Sequence, residues 1–133
     1  MPTRRKLMTV ADYMTKSPAQ IGAEQPLRLA HELMRKKRIR HLPVLTGGRL
    51  VGIVSLRDLH LVETLQGVDP SEVRVEEAMS PDVYCVAGDA PLQGVVREMA
   101  KRKLGSAVVT SGRKVVGVFT TIDALRALDQ ALS

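Results

Sequence analysis

The sequence predicts a mixed α+β (α/β) protein made of two copies of one β-α-β-β-α unit, packed sheet to sheet with pseudo-twofold symmetry. Three observations lead there: a repeat at constant offset, apolar stripes at helical spacing that begin at prolines, and paired apolar runs separated by glycine turns. The repeat governs every later assignment. Met14 and Met79 are 65 residues apart, and the same offset pairs Val10 with Val75, Pro26-Leu27 with Pro91-Leu92, Met34 with Met99, Gly47 with Gly112, Val51-Gly52 with Val116-Gly117 and Asp58 with Asp123. The copies are assigned to residues 8–61 and 75–128, with 62–74 as linker, inside one 1–133 module.

Each copy opens on a short extended piece, Ala19–Ile21 or Val83–Val86. Pro26 and Pro91 then stand where a helix starts, since a residue without an N–H costs nothing there. Leu27, Ala30, Leu33 and Met34, with Leu92, Val95, Val96 and Met99 as their counterparts, form the apolar stripe of that helix. Basic runs, Arg35–Arg38 and Lys101–Lys103, follow at the C-terminal end, where cations complement the helix dipole. Next come the hairpins, Leu42–Leu45 with Leu50–Val54 and Ala107–Val109 with Val115–Phe119, around Gly47-Gly48 and Gly112-Arg113. Final helices are expected over Leu56–Leu65 and Thr121–Leu132. One copy of about fifty residues is marginal alone, so the two are expected to pack together.

Composition narrows the function. The 133 residues are 44% hydrophobic and 26% charged, the balance of a globular domain. Twenty Lys and Arg against 14 Asp and Glu leave a net charge of +6, which favours an anionic partner. One Phe, two Tyr and no Trp are too few for the stacking platforms of single-strand binders, which argues against nucleic acid. A lone Cys85 in an apolar run excludes an internal disulfide and reads as a small core residue in a reducing compartment. The basic N-terminus lacks the apolar run of a secretory signal, so a cytoplasmic protein with no membrane association is expected.

Where the second hairpin strand meets its helix, both copies carry Gly-x-x-Ser/Thr-x-x-Asp: Gly52, Ser55, Asp58 and Gly117, Thr120, Asp123. Ser or Thr three residues before an acid describes a helix-capping box. The same residues suit a ligand. An Asp at a strand end accepts both hydroxyls of a ribose, a hydroxyl with the first-turn N–H groups binds phosphate, and the Gly lets a ligand or neighbouring backbone approach. Spacing alone favours the cap, and both roles can coexist.

Two such motifs at the repeat offset, the leading segments Val10–Thr15 and Val75–Ser80, the proline-started helices and Arg38–Val44 before the hairpin resemble the CBS domain over nearly the whole chain. The resemblance implies a tandem pair, or Bateman module, that binds an adenosine-containing ligand (AMP, ADP, ATP or S-adenosylmethionine) in clefts between the copies and forms a homodimer. It also implies helical leading segments and composite clefts. Asp58 would work with residues 80–84, including Asp82 and Tyr84, and Asp123 with residues 15–20, including Ser17 and Gln20. Arg40 and His41 fall where the family places phosphate-contacting side chains, and a guanidinium suits bidentate phosphate binding. A surface role stands beside that reading for both, and a plain apolar packing role for the Tyr84 ring. The second copy has Gly105 and Ser106 in place of Arg40 and His41, so the two clefts are unequal in charge.

Catalytic constellations are missing from the sequence pattern. His31–Arg35 begins like a zinc-protease helix but has Arg where the second His is needed, and His31, His41, His60 and Cys85 show no ligand spacing, so no metal site is expected. Residues 112–117 lack the ending of a phosphate-binding Walker loop. The methionines read as core filler. The expectation is therefore a non-enzymatic regulatory sensor with no required cofactor. Because the repeats leave few residues at either end, its effector is expected to be a separate polypeptide. The alternatives are a basic nucleic-acid-binding module and a purely structural dimerisation unit.

Overall fold

The computed structural model describes residues 8–133. Its elements are β1 (Thr15–Lys16), β2 (Ile21–Gly22), α1 (Leu27–Lys37), β3 (His41–Thr46), β4 (Arg49–Ser55), α2 (Leu56–Glu63), α3 (Val75–Ala78), β5 (Cys85–Ala87), α4 (Leu92–Arg102), β6 (Ser106–Ser111), β7 (Lys114–Thr120) and α5 (Thr121–Leu132), preceded by a 3-10 turn over Val10–Asp12. From α1 through β4 every boundary recurs at an offset of 65 in α4 through β7. The resemblance is equally close at finer scale. Pro26 and Pro91 are both N-caps, Arg38 and Lys103 both end their helices in the left-handed conformation with φ of 55° and 57°, and both hairpins shift register at the same place.

The chain forms two compact units. Pro18–Val83 is one; the described residues up to Ser17 join Tyr84–Ser133 in the other. Repeat boundaries in sequence and units in space are thus different divisions. Each copy's leading segment belongs to the unit that holds the other copy's hairpin.

In the Pro18–Val83 unit, β2 runs parallel to β3, and β3 pairs antiparallel with β4. Gly47 and Gly48 make the tight turn with φ of 56° and 79°, values that only glycine adopts without strain at both positions. Ile21, Leu27, Ala30, Met34, Leu42, Val44, Val54, Leu59 and Val75 close the core. Having no capping side chain, α1 takes its caps from the linker: Leu27 and Arg28 donate their N–H groups to the carbonyls of Val73 and Pro70 at 2.7 and 3.1 Å. Residues 70–73 are therefore built into this unit.

The other unit has a four-stranded sheet in the order β1-β7-β6-β5, with β1 antiparallel to β7 and β5 parallel to β6. Its core gathers Val10, Leu92, Val95, Met99, Ala107, Val109, Phe119 and Ala127. Tyr13 donates its hydroxyl to Gln130 at 2.9 Å and ties the leading turn to the end of α5.

Several expectations are adjusted. The extended pieces sit later than predicted, at Ile21–Gly22 and Cys85–Ala87, because pairing to the central strand starts at Ile21 with Val44 and at Cys85 with Val108. Helix α2 stops at Glu63 instead of Leu65. The leading segments form only single turns, over Val10–Asp12 and Val75–Ala78. Cys85 is exposed and not a core residue: strand alternation turns it outward while Val86 packs on the core. Among the described residues no helix is long and apolar enough to cross a membrane.

Candidate functional site

Both Gly-x-x-Ser/Thr-x-x-Asp motifs lie at a strand-to-helix junction. Ser55 is the N-cap of α2; its hydroxyl accepts the Asp58 N–H at 3.1 Å, and Asp58 Oδ2 accepts the Ser55 N–H at 2.8 Å. Thr120 and Asp123 repeat the exchange at α5 at 3.4 and 2.9 Å, and the Thr120 hydroxyl also reaches Asp123 Oδ2 at 3.2 Å. The capping box is therefore present at both junctions.

What the caps leave over differs. Asp58 is half-buried, and its Oδ1 has no hydrogen-bond partner among the described residues. Asp123 is only 3% exposed, and its Oδ1 faces the Arg126 guanidinium at 3.7 Å. The first motif thus keeps an acceptor in reserve.

Around Asp58 the hairpin supplies basic chemistry. His41 pairs in register with Ser55, and the Arg40 carbonyl accepts the Leu56 N–H at 2.8 Å, which sets the start of β3 beside the first turn of α2. Burial lowers the His41 pKa from 6.5; the Asp58 carboxylate opposes that shift and Arg40 adds to it. His41 is accordingly neutral at pH 7, one donor and one acceptor. Arg40 is exposed. At the second junction Ser106 and Gly105 occupy these places, and Gly105 accepts the Thr121 N–H at 3.1 Å.

The motif glycines serve the leading segments. A Cβ on Gly52 would stand 2.5 Å from Met79 Sδ and 2.8 Å from the Ser80 carbonyl; on Gly117 it would meet the Met14 sulfur and the Thr15 carbonyl. The bare Cα lets the backbone come close, and Ser80 and Ile53 exchange two hydrogen bonds of 2.8 and 2.9 Å. Equivalent contacts in the other unit join β1 to β7 and carry on to Ser17, whose N–H donates to Val116 with a left-handed φ of 49°. Met14 and Met79 are core filler, as their spacing predicts, packing part-buried on the two cores; they also cover the motif glycines, a pairing signalled by the recurrence of Met and Gly at the same offset.

The remaining expected residues are spread over both units. Asp82 is exposed, in the unit of Asp58. Gln20 is exposed in that unit too, whereas Ser17 is exposed in the unit of Asp123. Tyr84 belongs to the latter. Its ring packs on that unit's core beneath Arg102, whose guanidinium carbon is 5.3 Å from the ring centroid. Burial raises the hydroxyl pKa, Glu98 adds to the rise and Arg102 opposes it.

Against known proteins, the CBS domain family matches residues 10–62 and 75–130. Hypoxic response protein 1 of Mycobacterium tuberculosis is 26% identical over 125 residues, covering 93% of this chain and 87% of that protein. A Methanocaldococcus jannaschii relative, MJ1232, is 29% identical over 88% of this chain, which spans only 38% of that protein's length. Among solved structures, the CBS domain pair of MJ0100 in complex with 5′-methylthioadenosine and S-adenosyl-L-methionine superposes with a TM-score of 0.86 at 26% identity, covering 95% of this chain and 99% of that one. CBSX2 in complex with AMP follows at 0.81, 26% identity, and coverages of 92% and 97%.

Proposed function

The chain belongs to the CBS domain family, and from that premise we propose that it is a non-enzymatic regulatory module that binds an adenosine-containing ligand at the β4–α2 junction and signals to a separate protein partner. The observation that carries the reading is the acceptor Asp58 holds outside its cap. A carboxylate oxygen beside a helix N-terminus is suited to a ribose hydroxyl, and the first-turn N–H groups, Arg40 and neutral His41 are suited to phosphate oxygens. Complexes of relatives with AMP and with S-adenosyl-L-methionine support the ligand class. The module acts in the cytoplasm as a homodimer; the exposed Ile122, Leu125, Leu128 and Leu132 of α5 supply apolar surface for that association.

A thermal-shift panel of adenosine, AMP, ADP, ATP and S-adenosylmethionine at constant salt tests the reading. Binding to the folded state raises stability as RT ln(1 + [L]/Kd), so a cognate ligand gives a saturable rise in Tm. No rise with any of the five would refute it. The exposed basic run Arg35–Arg38 favours a polyanion as the second reading, and that reading requires affinity that collapses with salt.

A further inference from the structure

We propose that the C-terminal end of α1, with the starts of β3 and α2 beside it, forms a docking face for an acidic segment of the protein partner. Arg35, Lys36 and Lys37 end α1, Arg38 caps it, Arg40 precedes β3 and Arg57 stands in the first turn of α2. All six are exposed, and none is in an ion pair among the described residues. The backbone gathers them. Arg38 takes the left-handed conformation with φ of 55°, Ile39 donates its N–H to the Met34 carbonyl at 3.0 Å, and the chain turns back at once into β3. The Arg40 carbonyl accepts the Leu56 N–H at 2.8 Å, which brings Arg40 beside the turn that carries Arg57. The acids nearest in sequence are already engaged: Glu32 by Arg28 at 2.7 Å, and Asp58 by the Ser55 N–H at 2.8 Å.

Cations in a last helical turn complement the helix dipole, and the second copy shows how few that takes. Helix α4 has the same length of 11 residues, the same proline start and the same left-handed cap, with Ala100, Lys101, Arg102 and Lys103 at these positions. Arg102 is also drawn toward Glu98 at 3.8 Å and toward the Tyr84 ring. Gly105 and Ile122 stand where the first copy has Arg40 and Arg57. Arg35, Arg40 and Arg57 therefore exceed what the matched elements need in order to form. Crowded like charges repel one another in the free protein, and an anionic partner turns that repulsion into attraction.

The residue types indicate the partner. Four of the six are arginine, whose planar fork pairs with a carboxylate through two parallel hydrogen bonds. Phosphates of a nucleic acid would meet the same fork, but residues 18–83 hold no Phe, Tyr or Trp on which a base could stack. The face therefore suits a protein segment rich in Asp and Glu. This assignment rests on the regulatory reading above, which supplies a separate protein as the partner.

Fluorescence anisotropy of full-length protein with a labelled synthetic peptide of alternating Glu and Ser tests the face. The Glu peptide should bind and its Gln counterpart should not, and affinity should fall as salt rises from about 50 to 300 mM, since exposed charges are screened. Arg35→Glu combined with Lys36→Glu should weaken binding roughly tenfold or more, because two attractions become two repulsions and an exposed pair is worth about a factor of two to five. The matched second-copy pair, Lys101→Glu combined with Lys103→Glu, should leave affinity within about twofold, its charges being distant and screened. Melting curves establish that each variant is folded. The nucleotide thermal-shift panel on the wild type tests the ligand reading separately: its failure leaves this face standing, and failure of the peptide leaves that reading standing. No binding of the Glu peptide, equal binding of the Gln peptide, equal loss in the two paired variants, or an oligothymidine that binds this face more tightly than the peptide would each overturn the proposal.

Discussion

Asp58 holds the Ser55 backbone N–H at 2.8 Å with one carboxylate oxygen and keeps the other without a partner among the described residues. Asp123, its counterpart in the second copy, spends one oxygen on Thr120 and turns the other toward Arg126. The cap thus engages one carboxylate oxygen in each copy, and only in the second copy does the other oxygen face a cation.

The caps themselves are worth measuring. Ser55→Ala and Thr120→Ala each remove a side-chain acceptor from a helix N-terminus, and each should cost about 0.5–2 kcal/mol in denaturant unfolding. Ser55→Ala leaves Asp58 Oδ1 in place, so its effect on ligand affinity should be smaller than that of removing the carboxylate.

Gly52→Ala should destabilise by roughly 1–3 kcal/mol, the range for inserting a carbon into filled space. The new Cβ meets a flexible Met79 sulfur and a fixed Ser80 carbonyl. Adding Met79→Ala should therefore recover only part of the loss. Chemical denaturation of the single and double variants checks this, and full recovery would mean that the backbone contact is not the obstacle.

His41 makes stability depend on pH. Its folded pKa lies below the 6.5 of the unfolded chain, so the unfolded state takes up the proton first. The contribution is whole above about pH 6.5 and is lost as pH falls through that value toward the folded pKa. His41→Gln should flatten this part of the profile in urea titrations at pH 5 to 7.5. If a phosphate docks beside His41, it raises the imidazole pKa, and ligand binding near pH 6 should take up protons in calorimetry across buffers of different ionisation enthalpy.

Arg40→Ala should cost more affinity for ATP than for adenosine, which has no phosphate to lose, and Arg40→Lys should already weaken ATP because a point charge replaces a bidentate fork. Equal losses for both ligands would return Arg40 to the solvated basic face.

Much of this was legible in the residues. An ungapped offset carries proline caps, hairpin glycines and apolar stripes together, so α1 to β4 and α4 to β7 could be read from periodicity and punctuation alone. Cys85 misled because a three-residue edge strand exposes alternate positions, and an apolar run hides that alternation. Strand β1 was not legible: two residues pair with a strand a hundred positions later, a relation without local signal. The inequality of Asp58 and Asp123 was only half visible. The sequence shows Arg40 and His41 against Gly105 and Ser106, and it places Arg126 three residues after Asp123 on one helix where the first copy has Leu61, but the burial of Asp123 depends on packing.

The most direct test is calorimetric titration, with whichever adenosine ligand stabilises the wild type most, of wild type, Asp58→Ala and Asp123→Ala, each first shown to be folded. The reserved oxygen on Asp58 predicts a loss of roughly 1.5–3 kcal/mol in Asp58→Ala, the range for hydrogen bonds to a charged group, and near wild-type affinity in Asp123→Ala. Unchanged affinity in Asp58→Ala, or a larger loss in Asp123→Ala, would contradict the assignment of the site to the β4–α2 junction.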